Sequence, residues 1–152
     1  MPRETFTEFH RIEEILKKNF ICTLALEDET APYLFAMNYG YRERAFYFHA
    51  SPRGKKATLF RKNKRAGFWV ADSVELFGDK KDPCSMTMHY ESVTGKAEVM
   101  EVTEVSEKND ALNLITAQAG GISGVDYSPE SLDGVLILRA VIIEASGKRS
   151  FR

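Results

Sequence analysis

Cysteine and histidine are scarce in this chain, and their spacing excludes the common structural metal sites. The 152 residues include two cysteines and three histidines. Cys22 lies in an apolar run and Cys84 in a polar stretch, and neither belongs to a CxxC or CxxH pattern. Structural zinc sites need closely spaced Cys and His ligands. We therefore predict no metal site and expect a reducing compartment.

Long apolar runs are also missing. No segment approaches the roughly 20 apolar residues that span a bilayer as a helix. The N-terminal sequence MPRETFTEFHRIEEIL is charged throughout and lacks the apolar centre of a signal peptide. We therefore expect a cytoplasmic protein without a membrane partner. A dinucleotide-binding GxGxxG motif is absent as well, so the sequence offers no distinct nicotinamide site.

The overall charge is close to neutral, but one stretch is strongly basic. The chain carries 21 basic and 22 acidic residues, for a net charge of -1. Between Arg53 and Arg65, every charged residue is a lysine or arginine. A local positive potential on a neutral protein favours a small anion over a long polyanion. This distribution argues against a nucleic-acid partner.

Composition and periodicity predict a mainly β (α+β) domain that covers residues 1–152. Hydrophobic content of 43% and charged content of 28% are typical of a globular protein. Apolar or alternating runs predict six strands, at 20–26, 33–41, 46–50, 66–71, 87–100 and 135–143, with Trp69 in the core. Helices are expected at 4–18, from Ser51 onward, and at 103–119, where Gly120 and Gly121 end the helix. Segments 72–86 and 121–133 are expected to be loops. Because strands and helices do not alternate, we predict an antiparallel barrel capped by helices.

The stretch FYFHASPRGKKATLFRKN, residues 46–63, joins a strand to a helix. The predicted helix begins with Ser51 as N-cap and Pro52 at its first position, so Gly54, Lys55 and Lys56 fall in its first turn. A helix N-terminus offers free N–H groups and a positive dipole end, which suit a phosphate. The two lysines add full positive charge there. The alternative is a solvated basic helix start.

Two further polar residues are candidates for function. Asn38 lies in an otherwise apolar strand, where its amide needs a partner from backbone, water or ligand. His49 ends the strand before Ser51 and shares a face with Tyr47. It is either a packed or exposed bystander or a residue beside a ligand. In strand 87–100, Gly95 indicates a bulge or a close backbone approach.

Several of these segments together resemble a known family. The segments are PYLFAMNYGY, YFHASPRGKK, KATLFRKNKRAGF and YESVTGKAEV, followed by EKNDAL and a terminal SGKR. They resemble the split-barrel flavoproteins, which include pyridoxamine 5′-phosphate oxidase and the nitroimidazole-resistance reductases, over residues 20–149. FHAS, ESVTGKAEV and SGKR are more similar to the nitroimidazole-resistance branch. The Arg- and Trp-rich C-terminal motif of the oxidase branch is absent, which argues against pyridoxamine phosphate as substrate.

The resemblance implies a six-stranded antiparallel split β-barrel with flanking helices, and a homodimer that binds FMN between its subunits. It implies that Lys55 and Lys56 hold the phosphate, with Arg53 or Ser51 nearby. It places the other cofactor contacts on three strands: Phe35, Ala36, Met37 and Asn38; Phe48 and His49; Tyr90 and Ser92. Which lysine contacts the phosphate stays open, because SPRGKK is one residue longer than the oxidase pattern.

The function implied by the resemblance is that of an FMN-dependent oxidoreductase. It would reduce a small acceptor such as a nitroaromatic (nitroimidazole) compound, with His49 as the catalytic residue. The alternative is a flavin or haem binding protein, a carrier without turnover of its own. A nucleic-acid binder is the third possibility, and the net charge argues against it.

Overall fold

The computed structural model describes residues 3–150, which form eight β-strands and four α-helices. The strands are β1 (Arg3–Phe6), β2 (Ile21–Leu26), β3 (Tyr33–Asn38), β4 (Gly40–Arg42), β5 (Ala45–Ala50), β6 (Arg65–Phe77), β7 (Thr87–Glu101) and β8 (Leu136–Ser150). The helices are α1 (Phe9–Lys18), α2 (Lys55–Lys62), α3 (Val105–Gly120) and α4 (Pro129–Asp133). Positions 1, 2, 151 and 152 of the predicted domain lie outside the described residues.

All eight strands belong to one antiparallel sheet. Its order is β3-β2-β6-β7-β8-β5-β4, and β1 pairs with β8 beside this path. The sheet does not close by hydrogen bonds between its first and last strands, although β3 approaches β5. It is therefore an open, curled sheet with helices around it, which confirms the predicted split-barrel class.

The structure has two more strands than the predicted six. Residues 4–6 were expected to start a helix, but they belong to β1 and pair with β8, and the ring of Phe6 packs directly on Gly147. A Cβ atom at Gly147 would lie 2.0 Å from that ring, so only glycine fits. The predicted strand 33–41 is divided at Tyr39, whose buried hydroxyl donates to the carbonyl of Leu16 at 2.7 Å. Contacts between distant parts of the chain therefore cause both differences from the predicted strands.

The largest boundary difference concerns the predicted loop 72–86. β6 continues to Phe77 after a bulge between Asp72 and Glu75, where Ser73 has a φ of 51°. Its end pairs only with the start of β7, and we call this two-stranded segment, residues 73–89, the ribbon. The last strand likewise extends to Ser150 rather than ending at residue 143.

The helix ends agree with the sequence in part. α3 ends at Gly120, and its C-cap residue Gly121 adopts the left-handed conformation with a φ of 71°, as expected for a helix ended by glycine. It begins at Val105 rather than at residue 103, with Glu104 as the N-cap residue. The predicted loop 121–133 contains the short helix α4. The close approach expected at Gly95 is confirmed, since a Cβ atom there would lie 2.3 Å from the carbonyl oxygen of Glu144.

Two apolar cores lie on opposite sides of the β5 strand. Phe46 and Phe48 point into the barrel, where Phe46 contacts the ring of Phe68 edge-on at 4.9 Å between centroids. Tyr47 points the other way, into a second cluster against α3. The prediction that Trp69 belongs to the core is wrong, because it is 49% exposed. The neighbouring residues of β6 point inward, so alternation turns Trp69 outward.

A cluster of charges ties α1 to the base of the ribbon. The Lys18 ammonium lies 3.0 Å from the Glu91 carboxylate and 2.5 Å from that of Asp72. Arg149 also donates to Glu91, which is only 4% exposed. Burial alone would raise the pKa of the Asp72 carboxyl, but Lys18 and Ser73 together outweigh burial and the pKa is lowered. Asp72 therefore contributes to the stability of this junction only while it is ionised.

We expect Lys18→Met to lower the free energy of unfolding by roughly 1.5–3 kcal/mol at neutral pH, because two carboxylates lose their shared cation. Urea unfolding measures this. The stabilisation from Asp72 is present above its ordinary pKa of 3.8 and is lost as the pH falls through the lowered value. Between about pH 5 and pH 3, the variant should therefore lose less stability than the wild-type protein.

Lys17→Met is the matched control. Lys17 pairs with Glu13 at 3.2 Å on the exposed side of α1, so its loss should change stability by less than about 0.5 kcal/mol. Equal destabilisation by the two substitutions would show that the cluster at Glu91 contributes no more to stability than an exposed ion pair does.

Candidate functional site

The N-terminus of α2 is open to ligands. The helix begins at Lys55, with Gly54 as its N-cap residue at a φ of 97°, where glycine is favoured. Among the described residues, no side chain caps it. A Cβ atom at Gly54 would meet nothing within 4 Å. The first N–H groups of the helix therefore border free space.

The predicted helix start at Ser51 is wrong, and the lysines are nevertheless where they were expected. Ser51 and Pro52 form a turn before the helix, in which the Arg53 N–H donates to the Ser51 hydroxyl at 3.3 Å. Arg61 donates to the Pro52 carbonyl at 2.9 Å and holds this turn against α2. Arg53 itself is exposed.

The first turn of α2 lies over the aromatic side chains of β3. The Lys55 ammonium is 4.7 Å from the ring centroid of Tyr33, and that of Lys56 is 4.9 Å from the centroid of Phe35. Phe35 also contacts Phe60 of α2 edge-on at 5.6 Å. Cation–π contacts of this kind orient the ammonium groups. The structure thus brings the predicted residues Phe35, Lys55 and Lys56 together.

An acidic residue that the sequence did not indicate shares this site. Asp28, in the turn between β2 and β3, lies 2.7 Å from the Lys55 ammonium. Their hydrogen bond lowers the pKa of the Asp28 carboxyl and raises that of Lys55. Lys56 forms no ion pair with any residue among 3–150. Lys56 is therefore the lysine whose charge the protein does not neutralise.

β3 presents two different faces at the edge of the sheet. Tyr33, Phe35 and Met37 point towards the barrel, whereas Ala36 and Asn38 point outward and are exposed. This alternation was predicted. Among residues 3–150, β3 pairs only with β2, so the other edge of its backbone remains available to a ligand. Water can satisfy the exposed amide of Asn38.

The two predicted residues of β5 have different surroundings. Phe48 is 0% exposed and stacks on Phe46 at 5.7 Å inside the barrel, so only its backbone could contact a cofactor. His49 is exposed on the opposite face of the strand, the face turned towards α3. It lies two residues before Ser51, at the entrance to the α2 turn.

Tyr90 and Ser92 share one face of β7, three strands away from β3, where Tyr90 is half-buried and Ser92 is only 7% exposed. Asn38 pairs with Ile21 on β2, and Ser92 pairs with Ala71 on β6. With strands about 4.8 Å apart, β3 and β7 are separated by about 14 Å. A single chain therefore does not bring Tyr90 and Ser92 to the group formed by β3 and α2.

No metal centre or membrane-spanning helix accompanies this site in the part of the chain that the structure describes. Across residues 3–150, no three His, Cys, Asp or Glu side chains are grouped as metal ligands would be. None of the four helices combines the length and the apolar character that a bilayer crossing requires.

The open antiparallel barrel, with a basic helix start beside an edge strand, defines a split-barrel protein. The chain belongs to the pyridoxamine 5′-phosphate oxidase family, whose sequence model matches residues 9–149. A search of curated proteins gave no match.

Solved structures show the same fold. A candidate 5-nitroimidazole antibiotic resistance protein from Bacteroides thetaiotaomicron is similar with a TM-score of 0.82 and 24% identity, over 97% of this chain and 89% of that one. An FAD and haem binding protein from Mycobacterium smegmatis gives a TM-score of 0.85 and 16% identity, over 97% and 74%. An FAD-binding protein from Mesorhizobium loti gives 0.73 and 17%, over 99% and 100%.

Proposed function

We propose that residues 1–152 form a single FMN-binding domain that acts as a homodimer and reduces a small acceptor, such as a nitroaromatic compound. The observation that carries this proposal is the contact between the uncapped start of α2 and the edge strand β3. The family membership and the two flavin-binding relatives of the same fold support it.

The start of α2 fits the phosphate of FMN. A phosphate needs several hydrogen-bond donors and positive charge in one place. Free N–H groups, the Lys56 ammonium and the Lys55 ammonium meet there, and Ser51 and Arg53 lie in the preceding turn. The open space at Gly54 lets an anion approach the backbone. We assign Lys56 as the direct ligand, since Asp28 already engages Lys55.

The edge of β3 fits the flat ring system of a flavin. Its backbone groups from Phe35 to Asn38 can hydrogen-bond to the polar edge of the ring, with Ala36 leaving room beside it. When bound, the flavin supplies the electron-transfer chemistry. The residues of the chain bind it, orient it and exclude water from it.

His49 is the side chain that we assign to proton transfer. It is exposed and lies at the entrance to the turn that precedes Lys55. An exposed imidazole at this position can act as a general acid that donates a proton to the reduced acceptor. If it instead only packs against the cofactor, it affects affinity and not rate.

The second candidate is a flavin or haem carrier without turnover. The Mycobacterium smegmatis relative, described as binding both FAD and haem, favours this candidate. Anaerobic incubation of the flavin-loaded protein with reduced nicotinamide and a nitroaromatic acceptor separates the two functions. Catalytic consumption of the acceptor supports the reductase, and stable binding without consumption supports the carrier.

We expect Asp28→Asn to tighten FMN binding roughly fivefold. The substitution removes a carboxylate that lies 2.7 Å from the Lys55 ammonium and competes with phosphate for that cation. Flavin fluorescence titration measures the affinity. Riboflavin, which lacks the phosphate, should bind both proteins equally.

Glu29→Gln is the control for this prediction, because it removes the same charge from the adjacent exposed residue. We expect a smaller effect from it. If both substitutions tighten FMN binding equally, the cause is overall charge and the phosphate does not lie at Lys55.

A further inference from the structure

A basic hollow lies at the end of α2, at the other end of the helix from Lys55. Its volume of about 460 Å³ falls within the roughly 300–1,000 Å³ that small-ligand sites occupy. We call it the end hollow. The β2–β3 turn, the end of α2, the start of β6 and part of β7 contribute to it, and its polar lining residues are Glu27, Lys62, Asn63, Lys64, Arg65 and Lys96.

The end hollow holds more positive than negative charge. Lys62, Lys64 and Arg65 form no ion pair with any residue among 3–150. Lys96 is already paired, at 3.1 Å, with a carboxylate of β8, and Glu27 brings one carboxylate to the lining. The three unpaired cations and this carboxylate leave a surplus of two positive charges. A phosphate monoester carries roughly 1.5–2 negative charges at pH 7, so its charge matches the hollow.

Hydrogen bonds hold the backbone of the end hollow in place. The Asn63 side chain donates to the Glu27 carbonyl at 3.1 Å and accepts from the Glu27 N–H at 3.2 Å. The Lys64 carbonyl accepts from the Val99 N–H at 2.8 Å. The β2–β3 turn, the end of α2 and β7 are thereby joined around the basic residues. Because the hollow is formed before a ligand arrives, binding requires little ordering of the backbone.

Gly67 leaves the floor of the end hollow open. A Cβ atom there would meet only the Cβ atom of Ala25, at 3.7 Å. A glycine inside a strand marks a bulge or a place where a ligand or another backbone approaches closely. Gly67 pairs regularly with Ala25 on one side and with Lys96 on the other, so it does not mark a bulge. The remaining explanation that the hollow supports is the approach of a ligand.

The dipole of α2 does not account for the basic cluster. Cations near a helix C-terminus stabilise the helix, which explains Arg61 and Lys62 in the last turn of α2. Lys64 and Arg65 follow the helix, and Lys96 lies on β7. The dipole gives no reason for these three cations to line the same hollow.

Acidic residues border the end hollow. Asp28 and Glu29 follow Glu27 in the β2–β3 turn, and Glu98 pairs with Arg65 between β6 and β7. These carboxylates repel a long polyanion such as a nucleic acid, whose affinity depends on many phosphate contacts. A compact anion avoids them, so the hollow fits the phosphate of a small molecule.

The end hollow is separate from the anion site proposed at the start of α2. The helix has eight residues, so its two ends are about 12 Å apart. One phosphate cannot contact both ends. The two phosphates of a flavin dinucleotide share an oxygen atom, so they cannot lie one at each end either. A phosphate in the end hollow therefore comes from a ligand other than the flavin.

We propose that the end hollow is a second phosphate site, which binds the phosphate monoester of a small molecule other than the flavin. Arg65 offers a planar fork of N–H donors that matches two phosphate oxygens, and Lys62 and Lys64 add positive charge. One source of such a monoester is a phosphorylated reduced nicotinamide dinucleotide, which differs by this group from the unphosphorylated form. Only this source, as the electron donor, rests on the proposed function.

Titration of the isotope-labelled protein with inorganic phosphate, followed by amide NMR spectra, tests the site directly. We expect saturable changes of chemical shift at the backbone N–H groups of residues 63–67. Lys64→Gln combined with Arg65→Gln should raise the dissociation constant roughly tenfold or more, because two charge-assisted hydrogen bonds are lost. Lys80→Gln combined with Lys81→Gln is the matched control, in the turn of the ribbon, and should leave the dissociation constant unchanged.

Three further variants separate shape from charge. Gly67→Val fills part of the end hollow without changing its charge, so it should weaken phosphate binding severalfold, and valine suits a strand. Glu27→Gln removes a carboxylate that repels the anion and should tighten binding roughly threefold. Glu29→Gln, at an exposed residue outside the lining, should have a smaller effect.

The same spectra show whether each variant is folded. Shifts confined to residues 54–57 of the wild-type protein would place the phosphate at the start of α2 and overturn the proposal. Unchanged affinity in the Lys64 and Arg65 double variant or in a folded Gly67→Val variant would also overturn it, as would an equal loss in the lysine control.

Dissociation constants for the phosphorylated and unphosphorylated reduced nicotinamide dinucleotides identify the source of the monoester. Tighter binding of the phosphorylated form, lost in the Lys64 and Arg65 double variant, supports the electron donor. Equal binding of the two forms assigns the site to another phosphorylated small molecule, and the phosphate site stands. If no form of the protein binds flavin while inorganic phosphate binds as expected, the proposed function fails and the second phosphate site stands.

Discussion

Replacing both Lys55 and Lys56 with alanine should lower the affinity for FMN on the order of a hundredfold or more. Each lysine can form a charge-assisted hydrogen bond to the phosphate, worth roughly 1.5–3 kcal/mol. The helix N-terminus remains in the double variant, so residual binding is expected. Lys56→Ala alone should weaken FMN binding more than Lys55→Ala alone. The reason is that the Asp28 carboxylate lies 2.7 Å from the Lys55 ammonium and competes with the phosphate for it.

Flavin fluorescence titration with FMN and riboflavin measures this effect. Riboflavin affinity should change little, because riboflavin lacks the phosphate. The matched control is Lys80→Ala with Lys81→Ala, a second pair of adjacent exposed lysines, in the turn that links β6 and β7. Unchanged FMN affinity in the Lys55 and Lys56 double variant, or an equal loss in the control, would refute the phosphate assignment.

His49→Ala should slow reduction of a nitroaromatic acceptor by pre-reduced flavin on the order of a hundredfold. The reason is that His49 is the exposed imidazole at the entrance to the α2 turn, where a proton can be donated to the product. FMN affinity should change little, because the charges proposed to hold the phosphate lie on α2 and remain in place.

Rapid mixing of photoreduced protein with the acceptor measures the rate per bound flavin. His10→Ala is the control, since His10 is an exposed imidazole on α1. If His49→Ala weakens FMN binding while the rate per bound flavin stays at the wild-type value, His49 has a structural role and is not catalytic.

Local patterns in the sequence predicted the features that depend on neighbouring residues. Alternation gave the two faces of β3, where Phe35 points inward and Ala36 outward. Ser51 and Pro52 before a run of helix formers predicted a helix with Lys55 and Lys56 in its first turn, although the helix begins later than predicted, at Lys55. Glycine chemistry gave the end of α3 at Gly121. In each case the physical cause lies within one turn or one strand.

Features that depend on distant residues were mispredicted or not seen. β1 forms because β8 offers a free edge and because Gly147 leaves room for Phe6, and neither fact is visible near residue 6. The ribbon was taken for a loop because its strands contain polar residues on one side and a bulge at Ser73. Trp69 was placed in the core because its apolar neighbours conceal the alternation of β6.

In the candidate site, too, the sequence predicted local features and missed those that depend on distant residues. Sequence identified both lysines, but not Asp28, which precedes β3 and reaches Lys55 only in the folded chain. It grouped Tyr90 and Ser92 with β3 by resemblance, whereas the strand order separates them by two intervening strands. That separation could not be seen before the order of the sheet was known, and it is consistent with the expectation, drawn from the resemblance, of a site between two subunits.

The visible absorption spectrum of the purified protein tests flavin binding most directly. We expect the bands of an oxidised flavin, and the cofactor released by heat should have the mass and chromatographic behaviour of FMN. Release of FAD would show that the cofactor is a dinucleotide, and the site at α2 would then be assigned to its phosphates. A haem band alone would favour the carrier function. A protein that is colourless as purified and whose titration leaves FMN fluorescence unchanged would contradict flavin binding.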